Sequence, residues 1–377
     1  MLSCQSDKFF LSPDRHYLNC AFLSPLMKNV EAAGIEALQI KRDPSQVTPN
    51  MFFEDINLAR RLFAKLINCP QDQVALIPST SYGIATIARN LSIESGDNIV
   101  LIQDQFPSNV YAWRRLSKTT GATIHTVVRD HKRDWSQKII ESINQKTAVV
   151  AMETVHWANG YAFDLMEISK RTHDVGAHLI LDGTQSIGAV HFDIHSVKPD
   201  ALVCAGYKWL LGPYGTALLY VGERYMDGIP LEETWAARQG SDKFYQLVNY
   251  TDEYRPGATR FDRGQSCAFA QTAMMIKGLK QILEWDPAQI QSYCSELITD
   301  FLSIIQDHGY DVDDACLSHL FGLAIPDHLD RMQLSDQLKE ANISVSLRGG
   351  SIRVSPNVYN RKADIHALQD VLLSAVK

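Results

Sequence analysis

The sequence predicts an α/β fold, with a large domain built on a mostly parallel sheet and a smaller α+β domain after it. Short apolar runs alternate with segments of helical periodicity, which is typical of β-α-β units. The apolar runs 178–181 and 201–205 are bounded by turn residues, as in interior strands of a parallel sheet. We expect an N-terminal arm over 1–16, a large domain over 17–262 and a small domain over 263–377.

The elements of the large domain follow from these patterns in order. Apolar residues at helical spacing predict a helix over 54–66, and a Ser/Thr-rich turn leads into a second helix over 84–91. Further helices are expected near 135–143 and over 164–175. Between the helices, apolar and β-branched runs predict strands over 74–77, 98–102, 122–128, 147–155, 178–181 and 201–205.

The pattern changes beyond residue 262. Two amphipathic helices are predicted over 266–285 and 288–308. Short strands and helices follow, with strands over 319–325, 343–347 and 351–354 and helices over 333–341 and 363–376. This mixture predicts the small α+β domain.

Composition excludes several classes of protein. The net charge is −7 and both signs are mixed along the chain, so there is no basic stripe for nucleic acid. The 7 cysteines are odd in number and form no CxxC pair, which argues against a disulfide framework and a structural metal site. No basic and apolar leader or membrane-length apolar run is present. We expect a cytoplasmic protein with no membrane, nucleic-acid or metal partner.

Two charged residues follow neighbouring strands of the predicted sheet. Asp182 ends one apolar run, and Lys208 comes shortly after the next. In parallel sheets, ligands bind at the carboxyl ends of the strands. One chemistry uses both groups, because pyridoxal 5′-phosphate needs a carboxylate for its ring nitrogen and a lysine for a Schiff base with its aldehyde. A plain salt bridge between Asp182 and Lys208 is an equally good interpretation of the spacing alone.

The surrounding motifs favour the cofactor. The segments LDGTQSIGAV and AGYKWLLGPYGTALLYV closely resemble the core of class V pyridoxal-phosphate enzymes. That group includes cysteine desulfurases, selenocysteine lyases, kynureninases and isopenicillin N epimerase-like proteins. The resemblance extends from about residue 17 to the C-terminus. It implies fold type I with a large, mostly parallel seven-stranded sheet, and a homodimer whose active site lies at the interface.

The resemblance also implies roles for residues at the cofactor. Asp182, Gln185 and Lys208 match the family's cofactor site. Other matching positions are Thr80 and Ser81 for the phosphate, Phe106 for stacking on the ring, Asn159 for the phenolic oxygen or the substrate carboxylate, and Tyr207 for the phosphate. Gln265 stands where the family usually has a threonine, in a segment that reaches the phosphate of the neighbouring subunit, so we expect this contact from a different group. On local sequence alone, several of these positions have ordinary structural interpretations, as helix caps, core packing and an Asn-Gly turn.

Besides Asn159, three residues are candidates for binding the substrate. Arg353 matches the family's arginine that pairs bidentately with a substrate carboxylate, although a lone arginine at a strand end is more often solvated. Asn19 lies in a segment that resembles a strand lining the substrate pocket, with a surface loop as the alternative. Arg348 is a candidate for choosing the substrate.

The reaction branch is less sharply defined. A desulfurase needs a nucleophilic cysteine on a loop shortly before the carboxylate-binding arginine, and residues 330–350 contain none. Cys316 lies farther upstream, so a desulfurase is disfavoured. We expect an enzyme acting at Cα or Cβ of an amino acid, with transamination modestly favoured. The alternatives are a kynureninase-like enzyme, a selenocysteine or cysteine-sulfinate lyase, an epimerase, and a cofactor-binding protein without activity.

Overall fold

The computed structural model describes residues 2–130 and 133–376, whose strands form three sheets. The strands are β1 (His16–Tyr17), β2 (Val74–Ile77), β3 (Asn98–Ile102), β4 (Thr123–Val127), β5 (Thr147–Glu153), β6 (His178–Asp182), β7 (Ala201–Ala205), β8 (Ala217–Val221), β9 (Asp311–Val312), β10 (Phe321–Ala324), β11 (Ile343–Ser344), β12 (Ser346–Arg348) and β13 (Ser351–Val354). The helices are α1 (Lys28–Gln39), α2 (Met51–Ile67), α3 (Thr80–Arg89), α4 (Tyr111–Thr120), α5 (Trp135–Ser142), α6 (Leu165–Asp174), α7 (Ile194–Val197), α8 (Phe269–Trp285), α9 (Pro287–Gln306), α10 (Arg331–Glu340) and α11 (Lys362–Ala375).

The large sheet has the strand order β2-β8-β7-β6-β5-β3-β4. Only β8 runs against its neighbours, since it is antiparallel to β2 and β7, and the remaining pairs are parallel. The predicted mostly parallel seven-stranded sheet is therefore confirmed. Its parallel strands bring their carboxyl ends to one edge, where the loops after β3, β5, β6 and β7 meet.

Both faces of this sheet are buried. Along β2, Val74 and Leu76 belong to the apolar cluster that includes α2, whereas Ala75 and Ile77 belong to the opposite cluster that includes α3. Helices α2, α5, α6 and α8 contribute to the first cluster, and α3 and α4 to the second. Burial on both faces explains why the strands read as continuous apolar runs rather than as alternating patterns.

Some boundaries differ from those that the sequence predicts. Helix α3 begins at Thr80 rather than at residue 84, because the Ser79 hydroxyl accepts a hydrogen bond from the Tyr82 amide and caps the helix before its apolar face starts. Strand β5 ends at Glu153, and Val155 instead pairs with Ala162 across a turn. The strand expected over 343–347 divides into two pieces, since β11 pairs with β1 and β12 with β13.

The C-terminal part contains an antiparallel sheet with the order β12-β13-β10-β9. Its own apolar cluster takes residues from α9, α10 and α11 and also from Leu18. Helix α8 packs into the cluster of the large sheet, and α9 crosses from one cluster to the other between Cys294 and Leu297. The division of the chain at residues 16 and 262 stays a prediction.

Residues 2–130 and 133–376 hold no helix long and apolar enough to cross a membrane. They also hold no group of three or more His, Cys, Asp or Glu side chains arranged to bind a metal ion.

Candidate active site

Residues from the carboxyl ends of the parallel strands line one cavity. Glu153 and Asp182 are register partners at the ends of β5 and β6, and Lys208 follows β7. The lining residues are Thr80, Phe106, Glu153, Trp157, Asp182, Thr184, Gln185, Tyr207 and Lys208. The fold thus brings together six of the residues that the sequence predicts at the cofactor, from Thr80 at the start of α3 to Lys208 after β7.

Lys208 is the central amine of this cavity. Its side chain is 5% exposed, and its Nζ lies 5.4 Å from the ring centroid of Phe106 and 5.6 Å from that of Tyr207. Within the described part of the chain, no carboxylate oxygen lies within 4.0 Å of Nζ, so Asp182 and Lys208 do not form a salt bridge. Burial, together with the charge of Arg353, lowers the pKa of Lys208 to about 8. A lysine with this pKa supplies the neutral, nucleophilic amine near physiological pH.

Asp182 lines the same cavity and is held in a fixed orientation. Its Oδ1 accepts a hydrogen bond of 2.9 Å from the Thr184 amide. Burial raises the pKa of Asp182, while Thr184 and the charge of Lys208 oppose that rise. The Thr184 hydroxyl in turn accepts a hydrogen bond from the Ala205 amide and lies 3.4 Å from the Thr80 hydroxyl. This arrangement suits a carboxylate that receives a cationic N–H from a ligand.

Sequence reasoning missed Glu153, a second buried carboxyl group in the cavity. It is 2% exposed, and its two oxygens accept hydrogen bonds from the amides of Phe106 at 2.6 Å and Trp157 at 2.7 Å. Burial, with a contribution from the charge of Asp182, raises the pKa of Glu153 to about 8. The signal was available, because Glu153 ends an apolar run in the same way as Asp182.

Trp157 is the other lining residue that sequence reasoning missed. Its ring makes an edge contact with Phe106, with centroids 5.4 Å apart and an interplanar angle of 79°. Its indole N–H donates to the Asp104 carbonyl at 2.7 Å. Glu153 therefore fixes the backbone at Phe106 and Trp157, whose rings are in contact in the wall of the cavity. In this position Phe106 can cover one face of a flat ring.

The first turn of α3 lies at the other end of the cavity. Thr80 is buried there, while Ser81 is exposed and donates its hydroxyl hydrogen to Ser108 Oγ at 2.8 Å. The first amides of a helix have no partner within the helix and favour an anion. Thr80 lines the cavity and Ser81 does not, and the phosphate contacts of both residues stay predictions.

Two predicted cofactor residues have amides that are already bonded. Gln185 lines the cavity, but its Nε2 donates to the Ala21 carbonyl at 3.1 Å and its Oε1 accepts from the Trp209 indole at 2.9 Å. Asn159 is outside the cavity lining, and its Oδ1 lies 2.9 Å from His156 Nδ1 and accepts from the Tyr161 amide. The Asn159 side chain lies outside the cavity because its oxygen is bonded to His156 and Tyr161, within the turn that the Gly160 amide closes onto the His156 carbonyl.

The predicted substrate residues lie outside the lining of the cavity and reach its wall through Trp157. Arg353 is 1% exposed and donates to the Trp157 carbonyl at 2.9 Å. Asn19 accepts a hydrogen bond of 2.9 Å from the Ser346 hydroxyl, which also lies 3.4 Å from Arg353 Nη2. The guanidinium of Arg348 lies 5.3 Å from the centroid of the Trp157 ring. Trp157 thus connects both arginines to the cavity.

Gln265 and Tyr207 complete the set of predicted residues. Gln265 is exposed, has φ +56° and is absent from the lining of the cavity. Its contact with a neighbouring subunit stays a prediction. Tyr207 lines the cavity and packs against Tyr214, with ring centroids 4.5 Å apart.

The donor set fits pyridoxal 5′-phosphate. The cavity offers a buried amine without an acidic partner in the described chain, a buried carboxylate, an aromatic face and a helix N-terminus with hydroxyls.

The fold and these residues define an enzyme-like site for an aldehyde cofactor that reacts with a lysine. The profile of the family described as aminotransferase class V matches residues 45–368, and the chain belongs to this family. The cofactor of that family is pyridoxal 5′-phosphate, as the sequence motifs implied. The predicted family is therefore confirmed.

Relatives in this family carry two kinds of description. The uncharacterized aminotransferase YcbU of Bacillus subtilis is 25% identical over 326 residues, which cover 86% of this chain and 85% of that protein. A probable cysteine desulfurase of Pyrococcus abyssi is 28% identical over 171 residues, which cover 45% of this chain and 43% of that protein.

Solved structures agree with the fold. The apo cysteine desulfurase of Thermococcus onnurineus NA1 superposes with a TM-score of 0.87 at 19% identity, covering 100% of this chain and 99% of that chain. The cystine C–S lyase C-DES, in complex with cysteine persulfide, superposes with a TM-score of 0.85 at 16% identity, covering 96% of this chain and 97% of that chain. At these identities the likeness supports the fold alone.

Proposed function

We propose that the protein is a pyridoxal-phosphate-dependent enzyme that acts at Cα or Cβ of an amino acid, with transamination as its reaction. The observation that carries the proposal is the Lys208 amine, which is buried among aromatic rings, lacks an acidic partner in the described chain and has a pKa lowered to about 8. When bound, the cofactor supplies an electron sink for the substrate.

The chain's own groups then have distinct tasks. Lys208 would hold the cofactor covalently and, once released, carry the proton to and from the substrate carbon. Asp182 would keep the ring nitrogen protonated, and Phe106 would cover one ring face. Thr80 and Ser81 at the start of α3 would bind the phosphate. Arg353 would pair with the substrate carboxylate.

The test is the visible spectrum of the protein loaded with cofactor, recorded before and after adding alanine, cysteine, aspartate and kynurenine. Transamination predicts that one amino acid converts the yellow form to a colourless amine form, and that a 2-oxo acid restores the colour. Release of alanine together with an aromatic acid would instead identify the kynureninase-like alternative. Loss of chirality without a 2-oxo acid would identify an epimerase. A spectrum that no amino acid changes would contradict the proposed activity and would favour a cofactor-binding protein without activity.

A cysteine desulfurase or lyase is the second candidate, because relatives carry that description. Against a persulfide route, residues 330–350 contain no cysteine, and the hairpin turn before Arg353 is short. Cys20 lies next to Asn19, but it is 0% exposed and burial raises its thiol pKa to about 12. With dithiothreitol present to reduce the transferred sulfur, alanine and sulfide released from cysteine in equal amounts would favour a desulfurase. Pyruvate, ammonia and sulfide would favour a lyase. Unchanged desulfurase activity of Cys20→Ala would show that no persulfide forms there.

We further propose a cytoplasmic homodimer. The segment 244–250 exposes several large apolar side chains, among them Tyr250 at 94% and Tyr245 at 80%. Such a patch is typical of a protein interface. Light scattering after size exclusion should give twice the chain mass of 42.3 kDa. A monomer mass would contradict the homodimer.

A further inference from the structure

Two arginines extend from the same face of the β12–β13 hairpin. In this antiparallel pair Ser346 is opposite Arg353, and Arg348 is opposite Ser351. Because alternate residues of a strand share one face, Arg348 and Arg353 point to the same side as diagonal neighbours. Both guanidinium groups lie over Trp157, with Cζ atoms 5.3 Å and 5.7 Å from the ring centroid.

Neither arginine is neutralised by the described protein. Within residues 2–130 and 133–376, no carboxylate oxygen lies within 4.0 Å of either guanidinium, and the Nε atoms of both are buried without a hydrogen-bond partner. Burial lowers the pKa of Arg353 to about 10, and the charge of Arg348 adds to that effect. Two like charges held together in a partly dry site are unfavourable unless an anion joins them.

The space beside Arg348 is large enough for a side chain of a ligand. A cavity of about 390 Å³ is lined by Asn19, Phe22, Ser346, Leu347 and Arg348, together with residues of α10. Asn19 and Ser346 are the residues that contact each other next to Arg353. Lys339, another cation at this cavity, is already paired with Asp336 at 3.1 Å. Arg348 is therefore the unpaired cation of the second cavity.

We infer that the substrate carries two anionic groups, so that Arg353 pairs with its α-carboxylate and Arg348 with an acidic group on its side chain. The substrate class is an amino acid with an acidic side chain, and the inference rests on the proposed function. Guanidinium groups bind carboxylates through paired N–H donors, which suits a linear dianion placed across Trp157.

The test compares two ligands that differ by one charge. Calorimetric titration of the loaded protein with succinate and with its monoamide, succinamate, measures binding without turnover. Succinate should bind at least tenfold more tightly. Arg348→Gln should remove this difference by weakening succinate binding alone. Arg331→Gln is the matched control, because Arg331 is exposed on α10 beside the hairpin turn, and it should keep the preference.

The result in the wild-type protein decides the matter even if Arg348→Gln fails to fold. Equal affinities for the two ligands, or no binding of either, would overturn the inference. An equal loss of both in Arg348→Gln would do the same. The proposed function fails separately, since a protein that prefers succinate but shows no spectral change with aspartate or any other amino acid would bind dianions without transamination. Turnover of asparagine as fast as aspartate would keep the function and overturn the substrate class.

Discussion

Glu153 and Asp182 are register partners at the ends of two adjacent parallel strands, and both carboxyl groups are buried in the same cavity. They differ in what holds them. Glu153 accepts hydrogen bonds from the backbone amides of Phe106 and Trp157 and so positions both residues. Asp182 accepts a hydrogen bond from the Thr184 amide. Glu153 therefore positions the aromatic walls, and Asp182 is the carboxyl group available to a ligand.

Replacing Glu153 with Gln should destabilise the protein by about 1–3 kcal/mol, because an amide cannot accept from both backbone N–H groups and leaves one buried donor unpaired. Urea denaturation measures the change. Glu296→Gln, on the exposed face of α9, is the control and should change stability by less than about 0.5 kcal/mol. Equal stabilities of the Glu153 variant and the wild type would contradict this role.

Stability should also respond to pH through Glu153. Its pKa is about 8 in the folded protein and near the ordinary value of 4.5 in the unfolded chain, so the folded state binds the extra proton between these values. This contribution to stability is present below about pH 4.5 and is lost as pH rises through 8. The unfolding free energy of the wild type relative to that of Glu153→Gln should therefore fall from pH 5 to pH 9, and the advantage of about 1–3 kcal/mol for the wild type applies at the acidic end of this range. A constant difference would show that Glu153 is ionised throughout.

Cofactor incorporation should depend on the protonation of Lys208. With a pKa of about 8, the neutral fraction of the amine rises about tenfold between pH 7 and pH 9. The initial rate at which apoprotein becomes yellow with added pyridoxal phosphate should rise by a similar factor and level off above about pH 9. A free lysine analogue with the ordinary pKa of 10.5 should instead rise about 100-fold over the same range and keep rising. A protein rate that follows the free analogue would indicate an ordinary lysine.

Asp182→Asn should still load the cofactor but should slow its reaction with amino acids by on the order of 100-fold, because an amide does not stabilise a protonated ring nitrogen. The Thr184 amide keeps an oxygen acceptor in this variant. Stopped-flow absorbance measures the rate. An unchanged rate would remove Asp182 from the reaction.

Arg353→Lys should raise KM for amino acids roughly 10- to 100-fold through loss of paired N–H donors, with a smaller effect on kcat. The matched comparison uses the amine that lacks the α-carboxylate, whose reaction with the cofactor should not depend on residue 353. If the reactions of the amino acid and of the amine slow by the same factor in this variant, Arg353 acts on the fold of the site and not on the carboxylate.

Much of the fold could be predicted because both faces of the large sheet are buried. Continuous apolar runs such as 201–205 therefore marked strands, and Asp182 and Lys208 could be placed at one sheet edge. Features that depend on contacts between distant parts of the chain could not be predicted in this way. The strand expected over 343–347 divides because its two halves pair with different partners, and this cannot be read from local pattern.

The same limit applies to the site. Asn159 matched a motif, but its side chain bonds His156 and Tyr161, and Trp157 takes the place beside the cavity. Gln185 lies where expected, although its amide is bonded to Ala21 and Trp209. Glu153 was overlooked because the strand was expected to continue to residue 155, whereas it ends at Glu153, opposite Asp182 of the neighbouring strand.

The most direct test of the account is the identity of the lysine that holds the cofactor. Protein loaded with pyridoxal phosphate is reduced with borohydride, digested and mapped by mass spectrometry. We expect the pyridoxyl label on Lys208, and no stoichiometric label in Lys208→Ala, with Lys198→Ala as a control that labels normally. A label on another lysine, or undiminished labelling of Lys208→Ala, would contradict the central claim.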